Sequence, residues 1–247
     1  IQAEFRKQNF STYDEDYFSA LYAAYYIPNN FYKIQLMLLE LLRNEKLNFS
    51  DDSIKILDIG ASVGTTAWAV YDFFEILSNI YTLYGLNFPK QLSIEVDSIE
   101  ISKSNIAFFE KIRNRVNIKT SEFININKPI QADVLNGGFG KVVLDDYDII
   151  FASNVICEFP NYTEQKKFAD QIVNNQKQES IFIIIETAIL KDTKMLKRLQ
   201  YDILQNDEIS LISPCGKIAE KSERCQNCWS FRKENLIIPS TMKLFSQ

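Results

Sequence analysis

The chain has 247 residues, 46% of them hydrophobic, and a formal net charge of −5. That is enough apolar content for one large domain or a domain with a smaller appendage, and the acidic balance excludes a protein that grips nucleic acid with its whole surface. With no histidine in the chain, the usual neutral-pH base and the usual nitrogen ligand are missing, so a metal must be held by cysteine or carboxylate.

The opening IQAEFRKQNF carries charges where a secretory signal has an apolar segment, so secretion is not expected. No apolar run reaches about 18 residues, so no membrane span is expected. From Asp14 to Leu42, DEDYFSALYAAYYIPNNFYKIQLMLLELL has apolar residues at helical spacing, interrupted at Ile27-Pro28-Asn29-Asn30. Proline removes an amide donor and disfavours helix in the residue before it, which predicts two helices joined by a turn. Residues 1–50 therefore read as an N-terminal helical extension and 51–247 as the main domain.

KILDIG (55–60) reads as a strand ending in Asp and Gly, and TTAWAVYDFFEIL reads as the helix after it. Strand, glycine turn and helix in that order open a doubly wound, mostly parallel α/β sheet. Further strands are expected at LSIEVD (92–97), RVNIKT (115–120), YDIIFAS (147–153), SIFIIIETA (180–188) and ISLISP (209–214), with a last one in SFRKENLIIP. Helices are expected between several of them, at SIEISKSNIAFFEKIR and YTEQKKFADQIVNNQ.

Open α/β sheets bind ligands at the carboxyl ends of their strands, and the first turn comes closest. Here it reads Asp58-Ile59-Gly60-Ala61-Ser62-Val63-Gly64, which lacks the phosphate-loop pattern. Gly60 and Gly64 allow close backbone approach to a ligand, or simply make the turn. Asp97, read as the end of the second strand, is placed either to accept hydrogen bonds from a ribose diol or to cap a helix. The D-x-G turn and this strand order resemble the class I S-adenosylmethionine-dependent methyltransferases, with Ser62 where their middle glycine stands. Such chemistry needs alignment more than acid–base groups, so the lack of histidine is compatible with it.

After the fourth strand, Ser153-Asn154-Val155-Ile156-Cys157-Glu158-Phe159-Pro160 occupies the substrate-facing position. Cys157 reads as a nucleophile or, more commonly for its type, as a small buried residue. The other three cysteines fall in SPCGKIAEKSERCQNCWSF (213–231). Cys225 and Cys228 form a C-x-x-C pair and Cys215 can return to it through a loop, a pattern suited to an iron–sulfur cluster or zinc. Either normally takes four ligands. Cys157 is one candidate for the fourth, although in the expected strand order the two sites lie about 14 Å apart. A carboxylate, a cysteine outside this sequence or a partner's residue are the others.

Taken together, SALYAAYYIPNNFYKIQLMLLELL, LDIGASVGTTAWAV, DIIFASNVICEFP, IFIIIETA, SPCG and CQNCWSFRKENL resemble the methyltransferase-like family that assembles the mitochondrial small ribosomal subunit and has bacterial relatives. The resemblance runs in order over about 200 residues. Its cofactor turn and following helix fall on Asp58, Gly60, Gly64, Trp68 and Ala69, its S-x-x-L-x-E-L run on Ser153 and Glu158, and its cluster cysteines on Cys215, Cys225 and Cys228. Both motif histidines are replaced here. The resemblance implies a class I methyltransferase-like Rossmann fold, S-adenosylmethionine held around Asp58, Gly60, Ser62, Gly64, Asp97 and Ser153, and an iron–sulfur cluster, with zinc as the alternative. It also implies small-subunit ribosomal RNA and proteins as partners, in mitochondria or the bacterial cytoplasm. A non-catalytic assembly factor, or a small-molecule or protein methyltransferase with a zinc site, are the other functions open to this sequence.

Overall fold

In the computed structural model, which describes residues 16–47, 49, 52–115, 121–136 and 138–213, the sheet is built outward from β1 (Ser53–Ile59). Parallel to it on one side lies β2 (Ser93–Glu100), itself paired with β3 (Ile124–Ile126) and, further along, with β4 (Ile130–Gln131). On the other side lie β5 (Ile149–Ser153) and then β6 (Ile181–Ile185). The resulting order, β3-β2-β1-β5-β6 with every pair parallel, is the doubly wound arrangement expected from the sequence.

Parallel strands covered on both faces read as continuous apolar runs, and this sheet has a core on each face. One core joins Ile56, Val96 and Phe151 to helices α1 (Asp16–Arg43), α2 (Thr65–Leu83) and α3 (Lys103–Arg115), through residues such as Leu38, Phe74 and Phe109. The other joins Leu57, Ile59 and Ile150 to α4 (Tyr162–Asn175) and α5 (Leu190–Ile203), through Phe168, Ile172 and Leu199. No described helix is long and apolar enough to cross a membrane.

Four expectations are corrected. First, α1 runs unbroken from Asp16 to Arg43 with Pro28 inside it. An interior proline costs about 3 kcal/mol, but Ile27, Phe31, Ile34, Leu38 and Leu41 form one stripe against the core on both sides of it. Each fully buried large apolar side chain contributes about 1.5–3 kcal/mol, so packing outweighs the break. Leu38, fully buried, is therefore expected to cost about 2–5 kcal/mol on truncation to alanine. A lowered urea midpoint with an unchanged slope would show it.

Second, residues 98–100 belong to β2 and not to the helix: Ser98 and Ile99 pair with Asp58 and Ile59 of β1, and Ile99 is buried in the second core, on the face opposite Ile94 and Val96. Third, Arg115 ends α3 and the third strand comes later, at β3; residues 116–120 lie outside the described residues. Fourth, 209–213 forms no strand, while Pro214 and the SFRKENLIIP tail lie outside the described residues. In addition, α5 lies where no element is expected, although Met195, Leu199 and Ile203 recur at helical spacing on its inner face.

Candidate functional site

The turn after β1 carries three left-handed residues in five positions, Gly60 (φ 72°), Ser62 (φ 50°) and Gly64 (φ 91°). The amides of Gly60 and Ala61 both donate to the Ile99 carbonyl at 2.9 Å, which ties the turn to the end of β2. A Cβ on Gly60 would meet Val155 Cγ2 at 2.4 Å, and one on Gly64 would meet Phe109 at 2.4 Å. These glycines thus let the turn press against the loop after β5 and against α3. Ser62 stands where the resembled family has glycine, and its left-handed backbone costs a non-glycine residue roughly 1–2 kcal/mol.

Asp58 is the penultimate residue of β1, with only 1% of its surface exposed. Its Oδ2 is buried without a hydrogen-bond partner among the described residues. Burial pushes the carboxyl up to about 7, a hydrogen bond from Thr66 pulls it partly back, and the charge of Glu100 adds to the rise. A buried acceptor left open in this way is costly unless something else fills it.

Asp97 does not close β2. It lies in mid-strand opposite Leu57 and accepts hydrogen bonds from Asn127 Nδ2 and Tyr147 Oη, both at 2.9 Å. The acidic residue at the strand's end is Glu100, 6% exposed, whose two oxygens accept from the amides of Ser62 (2.7 Å) and Ser102 (2.8 Å). Burial raises its pKa and those amides lower it. The sequence signal for Glu100 is Ser102, whose hydroxyl accepts the Asn105 amide at the start of α3 and so begins the helix after the acid.

Ser153 ends β5 beside Asn154, which is itself left-handed (φ 57°). The loop that follows is held by Glu186, the residue after β6, whose Oε1 accepts the amides of Ile156 (2.8 Å) and Cys157 (3.2 Å). Its Oε2 is buried without a partner among the described residues, and burial lifts the carboxyl to about 7. Cys157 is half-buried, its thiol directed at the Asn154 carbonyl 3.6 Å away. Burial, then the charge of Glu186, drives the thiol far above its ordinary range, so it is held protonated and is a poor nucleophile.

From above, α1 reaches the same edge. Ser19 Oγ donates to Asn105 Oδ1 at 2.8 Å at the start of α3. Tyr22 stands against Ser62, and burial followed by the charge of Glu158 raises its phenol strongly. Lys33 donates to Asn30 Oδ1 at 3.1 Å and is lowered by burial, with Glu186 opposing. The structure thus gathers Asp58, Gly60, Ser62, Gly64 and Ser153 at one edge of the sheet, adds Glu100, Glu186 and Tyr22, and sets Asp97 further back. Cys215, Cys225 and Cys228 lie outside the described residues. Among the described residues no group of three or more cysteine or carboxylate side chains is placed to hold a metal ion.

Residues 16–228 match the family model described as mitochondrial small ribosomal subunit Rsm22. Among solved structures, the chain is similar to the CcbJ methyltransferase from Streptomyces caelestis, at 16% identity and a TM-score of 0.35, over 53% of this chain and 41% of that one. It is also similar to an S-adenosylmethionine-dependent methyltransferase from Clostridium acetobutylicum, at 12% and 0.43, over 68% and 55%. A third is from Methanosarcina mazei, at 14% and 0.43, over 65% and 63%. The chain spans less than two thirds of the length of each of these three proteins. No curated protein matches it.

Proposed function

Because the chain belongs to the mitochondrial small ribosomal subunit Rsm22 family, we propose that it binds S-adenosylmethionine at the C-terminal edge of its sheet and acts on or with small-subunit ribosomal RNA during ribosome assembly or translation. The observation that carries the cofactor half is the buried, unpartnered oxygen of Asp58 beside a turn of three left-handed residues. A nucleoside with an amino-acid tail offers donors for such an acceptor, and ligands of doubly wound sheets sit at this edge. Asp58, the turn around Ser62, and Glu100 would hold the group, Glu100 taking the ribose role first assigned to Asp97. When bound, S-adenosylmethionine supplies a methyl group activated on sulfur. This chain's part is to bury and orient it, with the loop held by Glu186 facing the acceptor.

The test is calorimetric titration of the folded protein with S-adenosylmethionine, followed by incubation with radiolabelled cofactor and small-subunit RNA. One-to-one binding in the micromolar range is expected. Heat indistinguishable from dilution, in a sample whose folding is verified by circular dichroism, would sink the cofactor reading.

A second reading, a binding platform without turnover, is favoured by a separate observation: the two oxygens of Glu100 already accept amide hydrogen bonds within the protein. Binding without label transfer to RNA would support it. We also propose that Cys215, Cys225 and Cys228 hold an iron–sulfur cluster, or zinc if the purified protein is colourless. Cys157, a carboxylate or a partner's residue would supply the fourth ligand; burial and then the charge of Glu186 keep the Cys157 thiol protonated in the absence of a metal, and a bound metal would have to displace that proton. The description of the matched family supports mitochondria as the place where the chain acts.

A further inference from the structure

The two halves of α1 are held by different forces. After Pro28, Ile34, Leu38 and Leu41 are 0%, 0% and 4% exposed and belong to the core. Before it, no residue from 20 to 27 is fully buried. That half is attached by Ile27, half-buried against the core beside the proline, by the Ser19 hydroxyl, which bonds Asn105 and lies 3.3 Å from the Ser104 hydroxyl, and by tyrosines at the sheet edge. Tyr22 and Tyr26 have ring centroids 4.7 Å apart, and Tyr25 and Tyr26 4.9 Å. Tyr22 reaches the turn after β1, among Ser62, Glu100 and Glu158. Pro28 has no amide to donate to the carbonyl of Ala24, so the helix lacks a rung between the two halves. Sharp helix bends concentrate where that rung is missing.

We propose that residues 16–27 form a hinged lid pivoting at Pro28, with Tyr22 standing over the turn after β1 and leaving it when an adenosyl ligand enters. The identity of the ligand rests on the function proposed above; the hinge does not. The core-packed half stays in place while the polar-tethered half moves, as expected where local stability comes from few buried apolar contacts. Tyr22 also becomes a specificity-determining residue, since whatever displaces it must offer a polar group to Ser62 or Glu100.

Two measurements test this. Amide hydrogen exchange of the ligand-free protein should show residues 20–27 exchanging at least about tenfold faster than 31–41. Pro28→Ala, which restores the missing rung, should slow the first segment by about tenfold or more. Equal exchange in the two segments, or no response to Pro28→Ala, overturns the hinge whether or not any ligand binds. The second measurement locks the lid. Ser19 and Ser104, whose hydroxyls lie 3.3 Å apart, are the pair to cross-link in a Ser19→Cys, Ser104→Cys double variant, and peptide mapping confirms the bridge. S-adenosylhomocysteine should bind the oxidised protein at least about tenfold more weakly than the reduced protein, as a ligand must when its binding-competent state is depleted. Equal affinity overturns the lid. If neither the reduced variant nor Tyr22→Ala binds S-adenosylhomocysteine while the exchange pattern holds, the adenosyl reading of the turn fails and the moving segment stands.

Discussion

Replacing Gly64 with alanine is expected to lower folding stability by about 2–5 kcal/mol, combining the left-handed backbone with overpacking. At φ 91° an L residue is strained, and the added Cβ would lie 2.4 Å from the Phe109 ring and 2.8 Å from Trp68 Nε1. Neither ring can yield easily: Phe109 is fully buried, and Trp68 Nε1 donates to the Val63 carbonyl at 2.9 Å. Gly85 separates the two causes. It too is left-handed, at φ 67°, but an added Cβ there meets nothing within 4 Å. Gly85→Ala should therefore cost only about 1–2 kcal/mol. Parallel urea melts decide, and a Gly64→Ala loss no larger than that at Gly85 would remove packing from the explanation.

Asp58→Asn is expected to stabilise the protein near neutral pH while weakening ligand binding. With its carboxyl held at about 7, folded Asp58 keeps a proton across a range in which the unfolded chain, at an ordinary value of about 3.9, has lost it. The folded state binds the extra proton, so this residue's contribution to stability falls as pH rises from about 4 to about 7. The amide does not ionise. The variant should gain roughly 2–4 kcal/mol over wild type above pH 7 and nothing near pH 4. Glu186, also near 7, leaves a residual slope in both proteins. Under the proposed function the same change replaces an acceptor with a donor and should weaken S-adenosylmethionine at least about tenfold. Stability that rises with pH between 4 and 7 specifically in wild type would contradict the buried-carboxyl account; unchanged affinity would remove Asp58 from the site.

Strands β1, β2, β5 and β6 and most helices were legible because a sheet buried on both faces writes itself as apolar runs between turn residues, as in KILDIG and IFIII, whereas β3 and β4 have only three and two residues and leave no such run. Pro28 misled because local preference and tertiary burial disagree there, and only the packing of Phe31, Ile34 and Leu38 decides between them. The site was half legible. Asp58, Gly60, Ser62 and Gly64 announce themselves in one contiguous turn. Glu100 needed the true end of β2. Tyr22 and Glu186 needed the fold itself, since each meets the turn or the loop after β5 from 30 to 40 residues away. Cys215, Cys225 and Cys228 lie outside the described residues.

The two-faced burial of the sheet also leaves an alignment problem. Shifting a strand by one residue normally exposes its apolar set to water, and that penalty selects the register. In β1, however, Ile54, Ile56, Leu57 and Ile59 are buried on alternate faces, so a slip exchanges one greasy side for another. The selection passes to the few polar groups at the strand's ends. The Asp148 amide donates to the Lys55 carbonyl at 2.9 Å while the Asp148 carboxylate accepts the Lys55 amide at 2.8 Å, and the Ile99 carbonyl accepts the amides of both Gly60 and Ala61. These residues work as index marks: hydrophobicity says that a strand is here, and they say which residue sits opposite which.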